Sequence, residues 1–372
     1  MELLRLVQSQ VRLGAPLPWG VRDESGVLLL AKGHVFVDDD QMQALLRRGA
    51  FVDLEEVKAA ARAAAPAEAR PANLFDQWEK TLWRLDRLLK SLATTGFPAR
   101  IDEFARGLVA LIERDPDIGI FLSVRKDRPR MLLYGLTHSL HTALLCCLVA
   151  RRLGWSAERT LCIVKAALTM NVAMLELQGR MAAQAVPAMP PQLEQVALHP
   201  QQAVELLEAA GIDDAEWLQA VAEHHERPGG GGYPSGRSEP CETARALRLA
   251  DVFMARITPR ISRPAISTQE AARQLFQDDG GGPLSMAVVK ELGIYPPGDF
   301  VQLKSGEQAV VVRRGDSAST PIAASITDRR GMPVTQTTRR DTACQEFAIV
   351  AALPDKSLAA RVLPERLYGL PA

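Results

Sequence analysis

From about residue 74 to residue 280 the chain keeps the rhythm of a helix and never that of a strand. Trp78, Leu82, Leu85, Leu89 and Leu92 recur at steps of three and four residues, and Ile101, Phe104, Leu108 and Leu111 repeat the pattern. From about 130 the breaks fall only at Gly and Pro clusters, above all the run at 229–232 and the stretch 278–283. A segment of this kind can bury its apolar stripes only by packing helix on helix. The fold class predicted is a multi-domain chain, mainly an α-helical core with small modules at both ends.

The flanks differ in texture. Residues 1–57 predict a small α+β module, with two short strands turning at Glu24-Ser25-Gly26 and a helix that stops at Gly49. Residues 58–73 are rich in Ala, Pro and charge and predict a linker. The helical domain is expected over 74–285, its core from about 100. Residues 286–372 predict a β-rich module, because GDFVQLKSGEQAVVVRRG alternates around Ser305-Gly306.

Composition excludes several classes. Lys plus Arg and Asp plus Glu are each 44 in 372 residues, so no net field draws the chain to nucleic acid. No stretch reaches the roughly 18 uninterrupted apolar residues of a membrane span, and the first residues do not read as a signal peptide. The cysteines, Cys146, Cys147, Cys162, Cys241 and Cys344, are odd in number and form no CxxC pair. A disulfide framework or a Cys-based zinc site is not expected, and the reducing cytoplasm fits best.

Five of the six histidines, His138, His141, His199, His224 and His225, lie in the helical region. Imidazole is the commonest metal ligand. On one helix His224 and His225 would point about 100° apart, so both reach one ion only near a helix end, which the Gly run can supply. Asp251 lies among apolar neighbours in RALRLADVFMAR and should be paired or metal-bound.

The segment HHERPGGGGYP at 224–234, with HP at 199–200 and AD at 250–251, resembles the HD-GYP family over about residues 100–280. LGIYPPGDFVQL is similar to a module that follows the domain in one subgroup. The resemblance implies an all-helical domain with two or three metal ions, usually iron or manganese, that hydrolyses cyclic di-GMP in bacterial signalling. Carried over by motif, the metal ligands are His138, His199, His224, His225 and Asp251. The phosphate- or nucleotide-holding residues are Arg260, Arg263, Gly231, Gly232 and Tyr233.

The chain departs from the family where the chemistry matters most. The HD pair should fall in KAALTMNVAMLEL, where Met170 and Asn171 stand instead. A thioether is a poor ligand for hard divalent ions, and a neutral amide brings no charge. Tyr134 replaces the acid expected one turn before His138, and Pro228-Gly229 replaces the usual Trp-Asp. No intact catalytic set is expected. His199, His224 and His225, with an oxygen from Asn171, leave one divalent site for iron, manganese or zinc, or none.

Plainer readings stand beside these. His141 reads as a helix-surface residue, Met170 and Met174 as core filling, and Asp251 as a cap or a partner of Arg248. Arg260 and Arg263 read equally as solvated charges, and the Gly run as a flexible loop. Three functions follow. The first is a degenerate, catalytically impaired HD-GYP protein acting by sensing cyclic di-GMP or by contact with a signalling protein. The second is an active phosphodiesterase with a rearranged site. The third is an interaction scaffold that binds no nucleotide.

Overall fold

The computed structural model describes residues 3–6, 11, 16–36, 38–47, 49–57, 73–125, 130–353 and 362–369. These fall into two compact units, one within residues 1–72 and the other within 73–372. The linker expected at 58–73 lies outside the described residues except for Asn73.

The first unit is α+β, as its texture predicts. Strands β1 (Leu3–Arg5), β2 (Val21–Arg22), β3 (Leu28–Leu30) and β4 (Phe51–Asp53) form an antiparallel sheet in the order β1-β4-β2-β3, joined by helix α1 (Asp39–Arg47). Trp19, Val21, Phe36, Met42 and Val52 fill its core. Strands β1 and β4 were not foreseen, because three residues are too few to show an alternation. His34 sits edge-on to Phe36 in this unit.

The second unit begins with Asn73, whose side chain accepts from Phe75 N at 3.0 Å and caps α2 (Leu74–Lys90). Then follow α3 (Phe97–Arg114), α4 (Pro116–Val124), α5 (Tyr134–Arg152), α6 (Ala157–Thr169), α7 (Leu175–Ala183), α8 (Pro190–Ala209), α9 (Ala215–Glu223), α10 (Glu242–Ile257), α11 (Thr268–Asp278) and α12 (Pro283–Leu292). The apolar stripe read from the sequence is the buried stripe of α2 and α3: Trp78, Leu82, Leu85, Ile101, Phe104 and Leu108 all lie in the core.

Helix α5 is the axis of this unit and is buried almost all round, so its faces show little polarity contrast. By length and composition Met131–Arg152 is apolar enough to cross a membrane, but 83% of that window is buried in the protein. Its apolar character is that of a core helix. Cys146 and Cys147 pack there as small hydrophobes, and burial pushes the Cys147 thiol up to about 12.

The chain closes with an antiparallel sheet in the order β8-β7-β6-β5-β9: β5 (Phe300–Leu303), β6 (Gln308–Arg313), β7 (Ile322–Thr327), β8 (Pro333–Asp341) and β9 (Ile349–Ala352). The β5–β6 hairpin turns at Ser305-Gly306 as expected, with Val301 opposite Ala309. Phe300, Val310, Val312, Ala324 and Ile326 pack into the helical core, and Val301, Leu303, Ala309, Val311 and Ala323 form a separate cluster. The boundary expected at 285/286 falls inside α12. Arg314, just past β6, ties the sheet to the helices: its Nε donates to Asp117 Oδ1 at 2.5 Å and its Nη1 to Glu291 Oε2 at 2.7 Å.

Candidate metal centre

Three histidines converge where helices end. His199 lies within α8, just before Pro200, and His224 is the C-cap of α9. That helix stops at Glu223, ahead of the Gly run that sequence reasoning expected to end it. The stop lets His224 and His225 turn together, with ring centroids 4.1 Å apart. One ligand atom from each of His199, His224 and His225 lies within 4.8 Å of the others.

The proton positions in this cluster follow from its hydrogen bonds. His199 Nδ1 stands 2.6 Å from Val196 O, and His224 Nδ1 stands 2.6 Å from Val221 O. A carbonyl oxygen only accepts, so each Nδ1 carries a proton and donates. Both Nε2 atoms then keep their lone pairs, yet they face each other at 3.1 Å. A second proton on either ring is opposed by the surroundings. Burial, with His224 alongside, pulls His199 down to about 3, and burial likewise lowers His224 and, more strongly, His225. Two facing lone pairs repel unless a cation lies between them. A separation of 3.1 Å suits two nitrogens that each bind one ion at about 2.1 Å. The donor set therefore fits a divalent metal.

The neighbouring loop is held from below. Glu226 is buried, and its Oε1 accepts from Ser235 N at 2.7 Å. Glu223 accepts from Cys241 N at 2.8 Å through Oε2. At Gly232 a Cβ would lie 2.5 Å from Glu226 Cα, so only glycine fits this crossing. Gly231 is exposed at the tip, and Tyr233 stacks on His225 at 4.5 Å. The close crossing explains Gly232 by packing.

His138 and Asp251 form a second, adjoining pair. Asp251 Oδ1 accepts from His138 Nε2 at 2.6 Å, and both side chains are buried. While that bond stands, Nε2 of His138 carries a proton and holds no ion. Burial alone would raise the Asp251 pKa, but the hydrogen bond and charge of His138 hold it far below the usual carboxylate range. Asp251 is thus paired with His138 in this structure. Tyr134 stacks on His138, 5.4 Å between centroids and 10° between planes.

Arg260 is half-buried, whereas Arg263 is exposed as a solvated charge would be. They form a backbone ladder pair, with Arg260 N donating to Arg263 O at 2.9 Å. Arg260 Nη2 donates to the Tyr134 hydroxyl at 2.7 Å and lies over the Tyr134 ring. Arg263 Nη2 donates to Ala255 O at 2.5 Å, and burial with Arg260 alongside lowers its pKa.

Met170 and Asn171 follow the end of α6 and are both buried, as is Met174. The Asn171 side-chain nitrogen and oxygen have no partner among the described residues. His141, expected on a helix surface, is instead buried, because the packing around α5 covers this face too. What the sequence did not reveal is the role of Val196 and Val221: any residue type supplies a carbonyl, so no side-chain signal marks them.

The protein-family model "HD domain" matches residues 126–281. A curated relative, the cyclic di-GMP phosphodiesterase PA4108 of Pseudomonas aeruginosa, is 31% identical over 152 residues. Residues 126–281 are thus an HD domain. The match to that relative takes in 39% of this chain and 37% of the relative, so the chain spans about a third of the relative's length. A solved structure, Bd1817, an HDG"Y"P protein from Bdellovibrio bacteriovorus, matches 78% of this chain and 99% of its own at a TM-score of 0.48 and 13% identity. HD domains generally hold divalent metals, and this chain brings three of its histidines together as such a site requires.

Proposed function

We propose that this chain is a degenerate HD-GYP protein of cyclic di-GMP signalling, with one divalent-metal site and no hydrolytic centre. It acts by sensing the nucleotide or by contact with a protein partner. The observation that carries this reading is the pair Met170–Asn171, buried where the family places its HD residues.

His199, His224 and His225 would hold the ion, as iron, manganese or zinc. A bound divalent ion supplies charge that polarises a phosphate oxygen. The chain's own groups do the rest of the binding. The facing Nε2 lone pairs keep the site open to one cation, and Arg260, held over Tyr134 by its hydrogen bond, presents a fixed guanidinium to a phosphate. Hydrolysis in the two-ion manner needs an anionic bridge between the cations, since two bare charges so close repel strongly. Asn171 offers only an uncharged oxygen, and Asp251 is engaged by His138.

The relative's name supports cyclic di-GMP as the nucleotide. The test is a pair of assays on one anaerobic preparation loaded with iron or manganese: calorimetric titration with cyclic di-GMP, and turnover of the same compound. Binding without hydrolysis is expected. Metal-dependent turnover above about 1 per second, an ordinary enzyme rate, contradicts the reading and favours a rearranged active site.

A further inference from the structure

Arg227 and Arg248 are two guanidiniums that make no hydrogen bond or ion pair among the described residues. Arg227 is exposed, two residues past His225, and Arg248 is half-buried. Arg248 lies on α10 three residues before Asp251, one turn away on the same face. The start of α10 is anchored at the end of α9, where Cys241 N donates to Glu223 Oε2 at 2.8 Å, and Asp251 is anchored on His138. Arg248 stands between those anchors, beside the stretch that carries His224, His225 and Arg227. Besides burial and the neighbouring histidines, the charge of Arg248 lowers the His225 pKa. The two carboxylates that act on Arg248 are engaged elsewhere, Asp251 by His138 and Asp278 by Arg256, whose Nη2 donates to Asp278 Oδ2 at 2.6 Å. Burial, with Arg227 alongside, outweighs them and lowers the Arg248 pKa.

A half-buried charge beside a like charge is costly until an anion joins the two. The planar fork of an arginine meets two phosphate oxygens at once. Arg260 serves the His138 side of the cluster, through Tyr134, so Arg227 and Arg248 are a distinct pair on the His225 side. We propose that Arg227 and Arg248 bind a phosphate group beside the three histidines, and that this is the second phosphate of a dinucleotide whose first faces the metal and Arg260. The dinucleotide rests on the function proposed above, whereas the phosphate rests on the pair alone.

The probe is inorganic phosphate, titrated into the metal-free full chain and followed by phosphorus NMR, so that no metal can hold it. Saturable binding in the millimolar range is expected. Arg248→Gln and Arg227→Gln should each weaken it at least about fivefold, and the double variant should abolish it. Arg227 is exposed, so its variant reads the pair without disturbing the core. Arg180→Gln, at an exposed side chain on α7, should leave phosphate binding unchanged. With a divalent ion loaded, the double variant should bind cyclic di-GMP about tenfold more weakly than the parent while keeping its metal. No saturable phosphate binding up to about 50 mM overturns the proposal. So does binding unchanged in either folded single variant, or cyclic di-GMP affinity that the double variant keeps. If the parent binds phosphate through the pair but binds no cyclic di-GMP, the pair stands and the nucleotide reading falls.

Discussion

At the scale of single residues the metal cluster is an arrangement of lone pairs. Its histidines were legible from spacing and motif, because imidazole is the natural ligand and HHE followed by GYP is a specific pattern. Their tautomers were not legible, since these depend on two valine carbonyls one turn back. The arrangement has a cost in acid. His199 is held near 3 by burial, whereas an unfolded histidine takes a proton near 6.5. The unfolded chain therefore binds more protons between those values. Without metal, stability should be full above about pH 6.5 and fall as pH drops from there toward about 3. Urea melts of the metal-free protein at stepped pH check this, and a flat profile across that window would speak against neutral, buried rings. The Asp251–His138 pair makes a second case. His138→Ala leaves the Asp251 carboxylate buried and unpaired, so stability should fall by about 3 kcal/mol in a urea melt at pH 7.

At the scale of elements, sequence reasoning succeeded where a period had room to show itself. Helices α2 and α3 and the β5–β6 hairpin are long enough for their apolar positions to declare a face. Strands β1 and β4 are too short for that. His141 misled for a different reason: α5 is apolar on nearly every side, so no polar face exists for a lone imidazole to mark. The loop after α9 carries its own constraint. Its glycines read equally as a phosphate cradle or a flexible link, and neither reading foresaw that Gly232 crosses Glu226 at a distance no side chain allows. Gly232→Ala should push this loop off its seat beneath His225 and Tyr233. Metal affinity is then expected to drop about tenfold, as when a supporting contact is lost, with helix content by circular dichroism unchanged.

At the scale of the whole molecule, the terminal sheet shares its core with the helices, a union the composition of either part does not announce. Arg314 and Asp117 are 197 residues apart, and pairings at such range leave no trace in a single sequence. Arg314→Ala should leave Asp117 without its closest cation, while Glu291 keeps Arg152, and lower stability by about 3 kcal/mol. Hydrogen exchange should then quicken in β6 and α12 before it does in α5. The unit within residues 1–72 has its own core, so a chain beginning at Asn73 should fold and keep its metal site.

The decisive quantity is how many ions the domain holds. Elemental analysis after anaerobic loading with iron or manganese, and removal of loose metal, counts them directly. One ion per chain, lost in His199→Ala, is the predicted result. Two ions per chain, with the second surviving in His199→Ala, would mean that some group other than a carboxylate at position 171 completes a binuclear centre, and the proposed loss of hydrolysis would fall.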